Sequence, residues 1–160
     1  DLALWLMGHP EPISVSGSTY NVIAAKKAAA EKKAFDVEDL ACGLVKFDNG
    51  ATLIVEASWA LNVRETDQIS LALYGEQGGL VQWHGANWEH KAEIYVEEGG
   101  NLFTKSLDAA CVPAPSAYRE FVNCILEDRE PLATAEQGIK VQKILEGLYR
   151  SAAEGREICF

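Results

Sequence analysis

Three histidines, four cysteines and four tryptophans carry most of the chemistry open to this 160-residue chain, against a background of 24 acidic side chains. His9 stands in a turn between Gly8 and Pro10, and His84 and His90 flank the polar run Gly85-Ala86-Asn87-Trp88-Glu89. Imidazoles can move protons or ligate metals near neutral pH. Spacing alone does not bring His84 and His90 together, so the plain reading is three surface histidines. Cys42, Cys111, Cys124 and Cys159 are widely separated and form no Cys-x-x-Cys pair, which leaves zinc and redox motifs unsupported. Cys42 in a strand and Cys124 on a helix read as small buried hydrophobes, and reduced thiols fit a cytoplasmic protein. The paired acids Glu97 and Glu98 and the stretch 127–130 fall at turn and helix ends, where they aid solubility and termination. Gly-x-Ser-x-Gly elbows, His-Glu-x-x-His pairs and phosphate-binding loops are absent from the sequence. The glycine run at 75–79 joins two strands instead of opening a helix, the wrong context for a dinucleotide fingerprint. Trp59 is the more suggestive aromatic, because the polar stretch 62–67 follows it and a ring beside polar groups can line a sugar pocket. The competing reading of Trp59 is a core or interface residue.

These side chains hang on a hairpin. Residues 37–59, VEDLACGLVKFDNGATLIVEASW, read as two extended runs joined at Asp48-Asn49-Gly50, and Asn-Gly between alternating apolar residues is the strongest short-range hairpin signal. A three-residue turn with Gly50 left-handed sorts the side chains better than a two-residue turn. It opposes Phe47 to Ala51, Val45 to Leu53, Gly43 to Val55 and Ala41 to Ala57, giving one wholly apolar face that runs on to Trp59. The other face mixes Leu40, Cys42, Leu44 and Ile54 with Lys46, Thr52, Glu56 and Ser58. Such a sheet needs two coverings, and the helices suffice for one.

Around the hairpin the chain reads as follows. Residues 2–7 are an apolar helix stopped by Gly8, and a chain beginning inside a helix is expected to have been cut from a longer one. Residues 13–20 alternate as a strand, with Ile13 and Val15 on one side and Ser14, Ser16 and Ser18 on the other. The alanine-rich stretch 24–34 favours helix but has no apolar stripe, and Lys26, Lys27, Lys32 and Lys33 read as its solvated face. Strands follow at 68–74, 80–83, 92–97 and 102–107 as an antiparallel meander with glycine turns. Ser116 caps a helix carrying Tyr118, Phe121, Val122, Ile125 and Leu126, and Thr134-Ala135-Glu136-Gln137 is a capping box for the last helix, which ends at Gly155. The expected architecture is one α+β domain: an open, mostly antiparallel sheet with helices packed on one face. A net charge of -10 disfavours nucleic acid as a partner, and no apolar run approaches the ~20 residues of a membrane span.

Several stretches together resemble the C-terminal domain of the glucose-fructose oxidoreductase, inositol dehydrogenase and MocA family. They are Asp1-Leu2-Ala3-Leu4-Trp5-Leu6-Met7-Gly8, Val37-Glu38-Asp39-Leu40, Phe47-Asp48-Asn49-Gly50-Ala51, Ser58-Trp59, the glycine run at 75–79, Phe121-Val122 and the segment 144–152. The likeness covers almost the whole chain, and the alanine and lysine stretch matches no family pattern. The resemblance implies a parent with an N-terminal Rossmann domain for NAD or NADP and hydride transfer to or from a sugar, polyol or related carbonyl compound. Asp1 matches the aspartate of the family's His-x-x-Asp-Leu run, while its histidine, the catalytic lysine and an earlier aspartate fall outside this sequence. The resemblance therefore implies no bound cofactor and no catalysis by this stretch alone. Asp1, Trp59, Asn62, Arg64 and Asp67 are expected to border the substrate pocket, and Leu40, Cys42, Leu44 and Ile54 to form the sheet face of a homo-oligomer. The alternative is a non-enzymatic dimerising sheet domain that binds a small ligand or protein.

Overall fold

A computed structural model describes residues 1–63, 67–84, 90–107 and 116–160. Its elements are α1 (Leu2–Leu6), β1 (Pro12–Tyr20), α2 (Ile23–Ala30), β2 (Leu40–Phe47), β3 (Thr52–Ser58), β4 (Ser70–Gly75), β5 (Gly78–His84), β6 (His90–Glu98), β7 (Asn101–Leu107), α3 (Ala117–Leu126), α4 (Ala135–Glu154) and β8 (Ile158–Cys159). The fold is α+β with antiparallel strands, as the patterning predicts. Its strands divide into two four-stranded sheets, β3-β2-β1-β8 and β4-β5-β6-β7, where the sequence suggested one. The chain correspondingly forms two compact units, Asp1–Asn62 with Glu130–Phe160, and Val63–Arg129.

In the first unit the hairpin has the predicted register. Ala41 opposes Ala57, Gly43 opposes Val55 and Val45 opposes Leu53. Phe47 N–H donates to the Ala51 carbonyl at 3.0 Å across a turn in which Gly50 takes φ +84°, a conformation that costs glycine little. Val45 and Phe47 are buried with Val15 of β1, Ile158 of β8, Leu4 of α1 and Ile144 and Leu148 of α4. The 3.6-residue spacing of Val141, Ile144 and Leu148 lays one stripe of α4 on this dry face. The helix comes very close: a Cβ on Gly147 would stand 2.6 Å from Val15 Cγ1, and Leu148 lies over the bare backbones of Gly17 and Gly43. Thr134 and Gln137 form the predicted capping box at the start of α4, and Gly155 ends it in the left-handed conformation. Lys140 clamps the other edge, donating to the His9 carbonyl at 2.7 Å and pairing with Glu11 at 2.6 Å.

Two details depart from the alternation rule. The β1–β2 register shifts between Pro12 and Ser14, so Pro12 takes the buried place and Ile13, expected beside Val15, is 46% exposed. Such a bulge breaks period two locally. The dry face also stops at Val55: Ala57 is exposed, and Trp59 turns outward, 63% exposed.

The second unit is a meander of β4 to β7 with α3. Its ladder alternates, placing Leu71, Leu73, Leu80, Ile94 and Val96 on one face. All five are only half-buried. Of the two helices expected to cover the dry sheet face, α4 does so in the first unit. The apolar stripe of α3 is instead exposed: Tyr118, Phe121, Val122, Ile125 and Leu126 are all at least 50% accessible. Cys124 alone on that helix is buried, as its sequence reading expected.

Candidate functional site

The strongest constellation in the first unit lies at the far end of the hairpin, around Glu38 and Asp39. Asp39 is 3% exposed, and its Oδ2 accepts the backbone N–H groups of Val22, Ile23 and Ala24 at 2.9, 2.7 and 2.9 Å. Those are the orphan donors at the start of α2, where a carboxylate also meets the positive end of the helix dipole. The Ala24 N–H, helped by those of Ile23 and Val22, holds the Asp39 carboxyl below the ordinary aspartate range, although burial pushes the other way. The Asp39 carbonyl receives the Ser58 hydroxyl at 2.6 Å, and its own N–H reaches the Tyr20 carbonyl at 2.8 Å. One residue thus ties together the ends of β1, β3 and α2. It explains why the stretch without an apolar stripe is helical at all, with its four lysines exposed as expected. All three hydrogen bonds to Asp39 Oδ2 come from backbone N–H groups, which makes Asp39 a structural clamp.

Glu38 faces outward from the same corner. Tyr149 of α4 donates its hydroxyl to Glu38 Oε1, which lowers the pKa of the carboxyl and raises that of the phenol. Trp59 Nε1 donates to the Glu38 carbonyl at 2.9 Å, and the indole meets the Phe35 ring with centroids 5.6 Å apart, tilted by 54°. The result is an anchored, solvent-facing aromatic surface with a carboxylate beside it. Such a surface can stack on the C–H face of a ring and accept a hydrogen bond from a hydroxyl.

The predicted substrate residues occupy several places. Asp1 is exposed at the N-cap of α1, Trp59 forms the aromatic surface, and Asn62 is exposed at the end of the first unit. Asp67 belongs to the second unit, exposed with φ +59°, and Arg64 lies outside the described residues. Among the four residues assigned to self-association, Cys42, Leu44 and Ile54 line an open groove of about 630 Å³ on the outer face of the first sheet. Ser16 and Ser18 of β1 and Ser151, Arg156 and Glu157 near the end of α4 complete it. Leu40 shares that face, while Ile54 is 78% exposed. Ser151 closes the groove's inner wall, accepting the Gly17 N–H at 2.9 Å and donating to the Arg156 carbonyl at 2.7 Å.

The other chemistry-bearing groups sort themselves physically. Burial raises the pKa of the Cys124 thiol, and Arg129, which reaches its Sγ at 3.2 Å, is held by both oxygens of Glu120. A thiol shifted in that direction is not an activated nucleophile. Cys111 lies outside the described residues. The glycine run joins β4 to β5, as expected of a turn. Among the described residues no group of three or more His, Cys, Asp or Glu is arranged for a metal. The histidines differ most from their sequence reading. His9 has both ring nitrogens shielded from solvent without a hydrogen-bond partner, and His84 and His90 stand ring to ring.

An α+β domain of antiparallel sheets, one capped by a long C-terminal helix and with no dinucleotide cradle among its described residues, is the class of structure these observations define. The chain belongs to the oxidoreductase family of glucose-fructose oxidoreductase, inositol dehydrogenase and MocA: the family's C-terminal alpha/beta domain matches residues 1–160. It is 27% identical over 165 residues to the D-glucoside 3-dehydrogenase of Escherichia coli (strain K12), covering 99% of this chain and 45% of that protein. The fold is shared with an oxidoreductase domain protein from Kribbella flavida, at a TM-score of 0.78 and 19% identity over 98% of this chain and 48% of that one. It is shared also with the WlbA dehydrogenase of Bordetella pertussis, solved in complex with NADH and UDP-GlcNAcA, at a TM-score of 0.67 and 21% identity over 99% of this chain and 41% of that one. The chain thus spans about half the length of the proteins it matches. Among the described residues no helix is long and apolar enough to cross a membrane.

Proposed function

We propose that this chain is the substrate-shaping and self-associating domain of an NAD(P)-dependent oxidoreductase acting on a sugar, polyol or related carbonyl compound, and that it is inactive by itself. The observation that carries this reading is the family match over all 160 residues, with a glucoside dehydrogenase among the relatives. NAD or NADP binds to a Rossmann domain outside this sequence. Asp1, Trp59, Asn62, Arg64 and Asp67 border the substrate, with the aromatic surface of Trp59 and Phe35 taking the apolar face of a sugar ring. Leu40, Cys42, Leu44 and Ile54 meet a second copy. An exposed Ile54 beside Leu44 and Cys42 on a sheet face is the kind of apolar surface that association covers.

The test uses the chain alone and the chain joined to the dinucleotide-binding domain of its parent. Fluorescence titration of the chain alone with NADH should give no saturation, and the joined protein should reduce NAD or NADP with a glucoside or polyol. Trp59→Ala should raise KM for the sugar more than it lowers kcat, because stacking is uniform binding. Saturable NADH binding by the chain alone would overturn the division of labour. Leu44→Lys should lower the mass seen by light scattering while leaving the circular dichroism spectrum unchanged, and an unchanged mass would remove the assigned face.

A further inference from the structure

We propose that His84 and His90 form a two-imidazole site for a zinc-class divalent transition ion, independent of the oxidoreductase reading. The pair lies in the second unit, at the last position of the β5–β6 ladder, where His84 opposes His90. The His84 N–H donates to the Ile69 carbonyl at 3.0 Å, on the opposite side from β6. In an antiparallel sheet the N–H and C=O of one residue point the same way, so His84 and His90 are a non-hydrogen-bonded pair, the position where facing side chains stand closest. Their ring centroids are 4.1 Å apart and tilted by 58°.

The chemistry of that geometry is specific. Neutral imidazole suits zinc, copper and nickel. With Zn–N bonds of ~2.0–2.1 Å in a tetrahedral shell, two ring centroids sit roughly 5 Å apart. The pair reaches that separation by opening about 1 Å, within the reach of small side-chain torsions at the end of a ladder. Lys91, next in sequence to His90, opposes Trp83 and by strand alternation projects from the other face, so its charge is turned away from the pair. The nearest same-face pair, Gln82 with Ala92, brings no cation. Among the described residues no group of three or more ligands includes the pair; the two imidazoles are the ligands assigned. The net charge of -10 favours the approach of a cation.

Calorimetric titration of the untagged chain with zinc chloride tests this. One ion per chain is expected, with affinity falling about tenfold or more in His84→Asn and equally in His90→Asn. His9→Asn should leave it unchanged. Because His90 is exposed, its replacement leaves the ladder intact, which circular dichroism verifies. A second readout is the electron paramagnetic resonance of bound copper, which should report two equatorial nitrogens in the parent chain and one in each single variant. Absence of zinc binding, a loss smaller than about threefold in either variant, or a copper spectrum unchanged by both substitutions would overturn the proposal.

Discussion

The two sheets of this chain have the same strand count and the same antiparallel pairing, yet only one of them has a core. In the first unit Val15, Val45, Phe47 and Ile158 are no more than 2% exposed beneath Leu4 and Leu148. In the second unit the sheet contributes no buried hydrophobic residue among those described, and its apolar face stays half open. The difference is a covering. α4 carries an apolar stripe of matching length and approaches so closely that Gly147 has no room for a side chain. α3 carries an equally clear stripe and exposes it. Secondary structure follows local pattern, whereas a core requires something to be laid on it. Stability in this chain should therefore be strongly asymmetric, and amide exchange should find the β1–β2–β3 ladder protected to the global limit while β5 and β6 exchange by local opening.

The largest expected effect is at Leu148, 4% exposed. Truncation of a buried leucine costs about 2–5 kcal/mol, the upper part where the site cannot collapse. Leu148 lies over two glycine backbones and under its own helix, so little can move into the hole. Leu148→Ala should accordingly lower the urea midpoint of the first unit by most of that range. A loss below about 1 kcal/mol would mean that the first sheet is not the dominant core.

A pH experiment sharpens the same contrast. The three α2 N–H groups hold the Asp39 carboxyl below its ordinary value, Ala24 most strongly. Because the folded value is the lower one, the stability that Asp39 contributes is fully present above the unfolded aspartate value of ~3.9 and is lost as pH falls through the folded value. Acid should release the amide protection of α2 and of the adjoining strand ends before that of the central β1–β2 pairs. Asp39→Asn should abolish this acid-dependent step and leave β5 and β6 unchanged. Loss of protection in α2 and in β5 and β6 at one common pH would refute the localisation.

What could be read from the sequence divides along the same physical line. The hairpin register was legible because period-two alternation and an Asp-Asn-Gly turn both act over a few residues, and both caps of α4 were legible for the same reason. The role of Asp39 was not, since its carboxylate caps a helix that begins 16 residues upstream at Ile23. The run Val37-Glu38-Asp39-Leu40 marked the place by family resemblance without giving the reason. His84 and His90 were visible as flanks of a polar loop, but only the β5–β6 register brings their rings together. The division of the strands into two sheets, and the uncovered stripe of α3, depend on long-range packing that no window of residues contains. Trp59 as a candidate contact was legible from type and neighbourhood, and its anchoring on Glu38 was not.

The smallest expected effect is the most informative about the bare sheet. Leu80 sits in β5 opposite Leu73 and Ile94, at the centre of the half-open face. With only part of its surface removed from water, Leu80→Ala should cost about 1 kcal/mol, well below the change at Leu148. The comparison is best made by exchange of the β5 and β6 amides at low protein concentration. If the cost there matches that of Leu148→Ala, the second sheet is covered in solution and the asymmetry between the units is not intrinsic to the chain. Dilution then separates the causes: a covering by a second copy weakens with concentration, since its contribution follows mass action, while a covering from within the chain does not.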